Sequence, residues 1–189
     1  MSDLLHRMTD TVLGSEFMPA SLRIPLMRVL GYEIDRSACI WAGASIRSKR
    51  IRVGRNVFIN VGFFYDGFDQ LEIGDNVRMG QFVRVITASH AIGPETQRCQ
   101  IATVSKPVKI GAGSWIGCNV TLLPGADVAE GCVIGAGSVV TKPTEKNGLY
   151  VGLPARLVRL IDQDDPEIGS TIIGEPLADY QPAAASVVV

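Results

Sequence analysis

An aliphatic residue returns every sixth position through most of this chain, and that spacing governs what the chain can become. Val53 and Ile59 open the count. Ile73, Met79 and Val85 extend it, and Ile110, Ile116, Leu122, Val128, Ile134 and Val140 run without a break. Gly usually follows the aliphatic. Four places after it stands a small or β-branched residue: Val57, Val77, Val83, Ser114, Val120, Ala126, Cys132 or Ser138. Repetition at a short fixed period is the mark of a solenoid. Six residues supply one short strand and one tight corner. The aliphatic faces inward, where it escapes water, and the following Gly admits backbone conformations that a Cβ would strain. Three such units close a triangular coil of eighteen residues, and stacked coils pair their strands in parallel. A flat sheet alternates at two and has no use for Gly at every sixth step. A helix would not tolerate the Gly and Pro of residues 110–140.

At 189 residues the chain reads as one domain with a core of its own. Sparse aromatics suit a narrow prism filled by Val, Ile and Leu. The net charge of −1 gives no electrostatic pull towards nucleic acid or an anionic membrane. Cys132 falls at an inward repeat position, and Cys39, Cys99 and Cys118 show no CxxC spacing, so free thiols in a reducing cytoplasm are expected. Residues 1–30 lack the continuous apolar run of a signal peptide, and no stretch approaches a membrane span.

The expected organisation is an all-β solenoid with a helical cap over 1–32, coils over 33–161 and a tail over 162–189. Leu4, Leu5, Met8 and Val12, then Leu22, Ile24, Leu26, Met27 and Leu30 after a Pro break, give the apolar stripes of the cap. A solenoid needs one, because its end coil would expose core and unpaired strand edge. A membrane-surface helix using Arg7, Arg23 and Arg28 is the other reading of this segment. In the early coils Ile34, Ile40 and Ile46 keep the period and the phase slips near Ile51. Residues 61–72 break it again, and 87–107 form a longer loop.

Where a repeat obeys a rule, its exceptions are where function concentrates. The loop 87–107 carries His90, one of two histidines; the other, His6, lies in the cap. A loop imidazole is by default solvated, but it is also the usual general base near neutral pH. No Cys–His or Ser–His–Asp arrangement competes. Cys118 and Ala136 occupy the third place of hexads eighteen residues apart, so they stack on one prism edge, where an extended ligand could lie parallel to the axis. Trp115 cannot fit inside so thin a core and should face outward. Lys142, Arg156 and Arg159 gather near the carboxyl end, where basic groups suit phosphates.

The segments IGDNVRMGQFVRVITASH, PVKIGAGSWIGCNVTLLPGADVAEGCVIGAGSVVTK and VGLPARLVR resemble the galactoside, maltose and nodulation-type sugar O-acetyltransferases, over about residues 50–161. The resemblance implies a left-handed parallel β-helix and acetyl-CoA as co-substrate, with no metal. It implies that His90 is the catalytic base and Asn60 lies at the reaction centre. Trp115, Cys118, Ala136, Thr141, Lys142, Arg156 and Arg159 match the acetyl-CoA groove. Two departures concern the acceptor. Gly62 stands where the family commonly has a second Asn, and the acidic acceptor ligand falls to Asp66 or Asp69, each a shift away.

The expected chemistry is direct transfer in a ternary complex: His90 takes the acceptor hydroxyl's proton as oxygen attacks the thioester, and the corner amide of Cys118 receives the oxyanion. A homotrimer is expected, with His90 of one subunit facing Trp115 and Lys142 of the next. An amino-sugar N-acetyltransferase and a non-catalytic scaffold are the alternatives. A γ-class carbonic anhydrase would need three zinc-binding histidines.

Overall fold

The computed structural model describes residues 3–162. Helices α1 (Asp3–Gly14) and α2 (Ala20–Val29) come first. Five coils follow, each of three short strands. The first holds β1 (Glu33–Ile34), β2 (Cys39–Ile40) and β3 (Ser45–Ile46). The second holds β4 (Ile51–Val53), β5 (Phe58–Ile59) and β6 (Phe64–Tyr65), and the third β7 (Leu71–Ile73), β8 (Arg78–Met79) and β9 (Arg84–Val85). A hairpin of β10 (Ala88–Ile92) and β11 (Cys99–Ser105) then leaves the prism. The fourth coil is β12 (Val108–Ile110), β13 (Trp115–Ile116) and β14 (Thr121–Leu122), and the fifth is β15 (Asp127–Val128), β16 (Val133–Ile134) and β17 (Val139–Val140). Strands β18 (Gly148–Val151) and β19 (Arg156–Leu160) close the far end, β19 running antiparallel to β18. The expected tail, from residue 163 on, lies outside the described residues.

The strands stack into three sheets, one per prism face. We call them A (β1-β4-β7-β12-β15), B (β2-β5-β8-β13-β16-β18-β19) and C (β3-β6-β9-β14-β17); within A, C and the coils of B the pairing is parallel. The chain therefore turns three kinds of corner: A to B, B to C and C to A. The hexad aliphatics fill the interior as expected. Ile59, Val85, Ile116, Leu122, Val128 and Ile134 are all fully buried. Each contributes roughly 1.5–3 kcal/mol by leaving water.

The irregularities in the repeat all fall on one corner. Ile34 pairs with Val53, Val53 with Ile73, and Ile73 with Ile110, so successive coils differ in length until Ile110 meets Val128 at the regular spacing. The extra residues lie between sheets C and A: beyond Ile46, beyond Tyr65 and, largest, beyond Val85. The sequence reading that 61–72 is irregular is thus too broad. Phe63 and Tyr65 are buried in the ordinary way, and only the stretch between β6 and β7 is added. Likewise 87–107 is a two-stranded hairpin rather than a plain loop.

The cap is built around Arg23, whose side chain is buried. Its Nε donates to the Leu13 carbonyl at 2.7 Å and Nη1 to Ile40 O at 2.6 Å. Nη2 reaches Ser15 O and Met18 O at 3.0 Å each. These carbonyls come from the end of α1, the connection to α2 and the first coil, so one guanidinium ties all three together. Burial lowers its pKa from the ordinary arginine value. Asp10 adds a second tie, accepting from Ser45 Oγ at 2.8 Å and the Ile46 N–H at 2.7 Å. Leu13, Ile24 and Met27 cover the end of the core. Arg28 donates to the Ile34 carbonyl. With Arg23 and Arg28 both engaged by the first coil, the membrane-surface reading loses two of its three basic residues. No described helix is long and apolar enough to cross a membrane.

Candidate active site

The B-to-C corner is the one the sequence marks by the Cys118 and Ala136 stack. Its backbone follows a rule. The residue leaving each sheet B strand donates its N–H to the coil above: Asn60 to Met79, Gly80 to Ile116, Gly117 to Ile134 and Gly135 to Tyr150. The residue two further on donates to the coil below: Phe82 to Val61, Asn119 to Gln81 and Gly137 to Cys118. The residue between them is left over. Among the described residues the N–H groups of Gln81, Cys118 and Ala136 meet no acceptor. They lie on successive coils, about 4.8 Å apart by the strand spacing. The packing is close: a Cβ on Gly80 would collide with the Cys118 amide, and one on Gly117 with that of Ala136. A ligand that runs along this edge meets a row of donors.

Asn60 belongs to the same column. Its side-chain oxygen accepts the Val61 N–H at 2.8 Å, so the amide equivalent to those of Gln81, Cys118 and Ala136 has a partner here. That bond also holds the carboxamide in place. Gly62 and Phe82 explain the departure noted beside Asn60. Gly62 has φ of +73° and Phe82 a φ of +59°, and a Cβ at 62 would run into the Phe82 ring. The aromatic ring occupies the room that a side chain at 62 would need. Gly62→Ala is therefore expected to cost about 1–2 kcal/mol in denaturant unfolding, from positive-φ strain and collision together. Adding Phe82→Ala should return the collision part alone.

Trp115 projects from sheet B, 54% exposed, between Arg78 and Val133 in register. Arg78 lies 5.9 Å from the Phe58 ring centroid, and Phe58 meets Trp41 edge-to-face at 6.2 Å. Arg156 and Arg159 are on β19 at the end of the same sheet, paired with Val151 and Leu149. Asn60, Trp115, Cys118, Ala136, Arg156 and Arg159 are thus brought to one face and its adjoining edge.

His90, Thr141 and Lys142 are not. Thr141 and Lys142 follow β17 and turn the C-to-A corner, on the edge from which the hairpin emerges. His90 sits in β10 opposite Thr103, exposed. The hairpin leaves between the third and fourth coils, at a level between that of Asn60 and that of Cys118. Within one chain the imidazole and the amide row stand on different edges of the prism. Asp66 and Asp69 lie at the root of the hairpin with their oxygens already engaged. Asp66 accepts from the backbone of Thr87 and Ala88, and Asp69 from Ser105 Oγ. Sequence reasoning missed Thr87 and Ser105; their only signal was polar residues at both ends of the interruption. The thiols of Cys39, Cys99, Cys118 and Cys132 are free.

Comparison with known proteins agrees with this architecture. The family described as "Bacterial transferase hexapeptide (six repeats)" matches residues 107–142. A Staphylococcus aureus (strain COL) protein named as a candidate acetyltransferase is 40% identical over 116 residues, 61% of this chain and 58% of that protein. The galactoside O-acetyltransferase of Escherichia coli (strain K12) is 34% identical over 115 residues, 61% of this chain and 56% of that enzyme. The chain thus spans a little over half the length of these curated relatives. Among solved structures, a hexapeptide-repeat acetyltransferase of Vibrio cholerae, complexed with acetyl-coenzyme A, aligns with a TM-score of 0.73 and 26% identity over 86% of this chain and 100% of that one. Repeat, fold and relatives converge: the chain carries the bacterial hexapeptide repeat on a parallel β-helix and is similar to acetyltransferases built on that repeat.

Proposed function

We propose that the protein is an acetyl-CoA-dependent O-acetyltransferase acting on a hydroxyl of a sugar or a related glycan or natural-product intermediate. The observation that carries this reading is the row of open amides at Gln81, Cys118 and Ala136, with Asn60 at the same corner one coil below Gln81. Acetyl-CoA fits such an edge. Its amide-bearing arm would take the Cys118 and Ala136 donors, with Trp115 alongside and Arg156, Arg159 and Lys142 left for its phosphates. The thioester carbonyl would then lie near Asn60 and the Cys118 amide, either of which stabilises the oxyanion as attack proceeds. One such donor is worth roughly 3 kcal/mol. His90 removes the acceptor's proton, oxygen bonds to the carbonyl carbon, and coenzyme A departs as the thiol.

This scheme needs a second copy of the chain, since one copy holds His90 and the amide row on separate edges. A homotrimer of parallel prisms brings the hairpin of each subunit to the B-to-C edge of the next, at the level between Asn60 and Cys118. Thr141 and Lys142 would then come from the subunit that supplies His90, a revision of the expected grouping of Lys142 with Trp115. The hairpin supports this: Ile92 and Ile101 are 86% and 88% exposed in a single chain, a state that a neighbour would relieve. The free thiols suit a reducing cytoplasm as the place of work.

Subunit complementation tests the arrangement. His90→Ala and Asn60→Ala chains, each inactive alone, are mixed and reassembled. Shared sites predict recovery of about a quarter of wild-type activity, the random yield of junctions with both native residues. No recovery from well-formed mixed trimers, or an active monomer by light scattering, overturns it. Thiol release across pyranosides, amino sugars and alcohols then identifies the acceptor.

A further inference from the structure

Thr87 is the point where the chain leaves the prism for the hairpin, and it is completely buried. Three donors at this point converge on the Asp66 carboxylate. The Thr87 N–H reaches Oδ2 at 2.9 Å, the Ala88 N–H reaches the same oxygen at 3.1 Å, and the Thr87 hydroxyl donates to Oδ1. The hydroxyl in turn accepts the Asp69 N–H at 2.9 Å. The Asp69 side chain holds the returning strand, accepting from Ser105 Oγ at 2.9 Å, while the Lys106 N–H closes onto the Thr87 carbonyl at 2.9 Å. Below them the Tyr65 phenol donates to the carbonyl groups of Asp69 and Arg50. Burial raises the pKa of this phenol, so it remains a donor throughout the neutral range.

The consequence for His90 follows from register. Ala88 pairs with Ser105, Ser89 with Val104 and His90 with Thr103. The imidazole is therefore two pairs out from the clamp, on the same side of the strand as Ala88. Beyond it the ladder slips between His90 and Ile92. The clamp is thus the ordered end of the hairpin, and the pose of His90 is inherited from it.

We propose that Asp66 and Asp69, with Thr87 and Ser105, are positioning residues that set the place of His90, and that Asp66 and Asp69 are not acceptor ligands. This rests on the reading of His90 as the base. A carboxylate taking three donors from the hairpin and a fourth from the Phe68 N–H at 3.4 Å has its acceptor sites filled, and turning it to a sugar hydroxyl would release the strand that carries the imidazole.

The test compares Asp66→Asn, Thr87→Val and Thr87→Ser in the assembled enzyme. A positioning role predicts that Asp66→Asn and Thr87→Val each lower kcat by about ten- to a hundred-fold, the usual toll of misplacing a catalytic group by an ångström. Acetyl-CoA affinity and trimer assembly should stay unchanged, and Thr87→Ser, which keeps the hydroxyl, should restore most of the rate. Amide exchange at Ser89 and Val104, the hydrogen-bonded pair next to the clamp, should quicken in both impaired variants. If Asp66→Asn instead raises the acceptor KM with kcat preserved and Thr87→Val is silent, Asp66 is an acceptor ligand and the proposal falls. Unchanged exchange in the hairpin also overturns it. A His90→Ala enzyme that keeps its turnover would strike down the base assignment, and the exchange data would still report on the clamp.

Discussion

His90→Ala is expected to lower kcat by roughly 10²–10⁴-fold while acetyl-CoA binds as before. The expectation follows from where the residue stands. It is exposed on a hairpin and lies on a different edge from the amide row. Its removal should disturb neither the core nor the donors proposed for the thioester and the arm of coenzyme A. The loss should therefore appear in the chemical step, with the dissociation constant from calorimetry or fluorescence unmoved. His90→Gln preserves hydrogen bonding but cannot accept the proton, and should be equally slow. Unchanged turnover would reject the base role. A stoichiometric acetyl group on Cys118, seen by mass spectrometry, would replace direct transfer with a covalent route.

Arg23→Ala is the largest expected loss of stability. The substitution removes donors from the carbonyls of Leu13, Ser15, Met18 and Ile40 together. Each carbonyl left buried without a partner costs about 1–3 kcal/mol. Water can re-enter at part of the site, so a total on the order of 3–5 kcal/mol is expected in denaturant unfolding. Arg23→Lys should recover only part of this, because a compact ammonium cannot span carbonyls on three segments. Wild-type stability in Arg23→Ala would show that the cap does not depend on this tie.

The coils were legible because their cause is local and repeated. A Val or Ile at each sixth place must face inward, and nothing distant changes that. The stacking of Cys118 over Ala136 followed from arithmetic alone. Three features escaped for a shared reason: they depend on partners far off in sequence. Arg23 reads as a solvated helix residue until three chain segments fold around it. Asp66 and Asp69 look like ligand residues, and only the return of the chain at Thr87 and Ser105 shows that their oxygens are taken. The hairpin strands were missed, although Ile101, Thr103 and Val104 favour extended backbone. Lys142 and Cys118 stand on different edges of one chain, because Lys142 follows β17 of sheet C and so lies one corner further round.

Confining every added residue to the C-to-A corner separates two demands on the chain. The other two corners keep the coil count in step, while the third is free to change length. Foreign segments grafted at the hairpin tip, between β10 and β11, should then leave the amide row, the aliphatic column and the Asp66 clamp in register, which makes that tip the natural place to rebuild what this scaffold accepts.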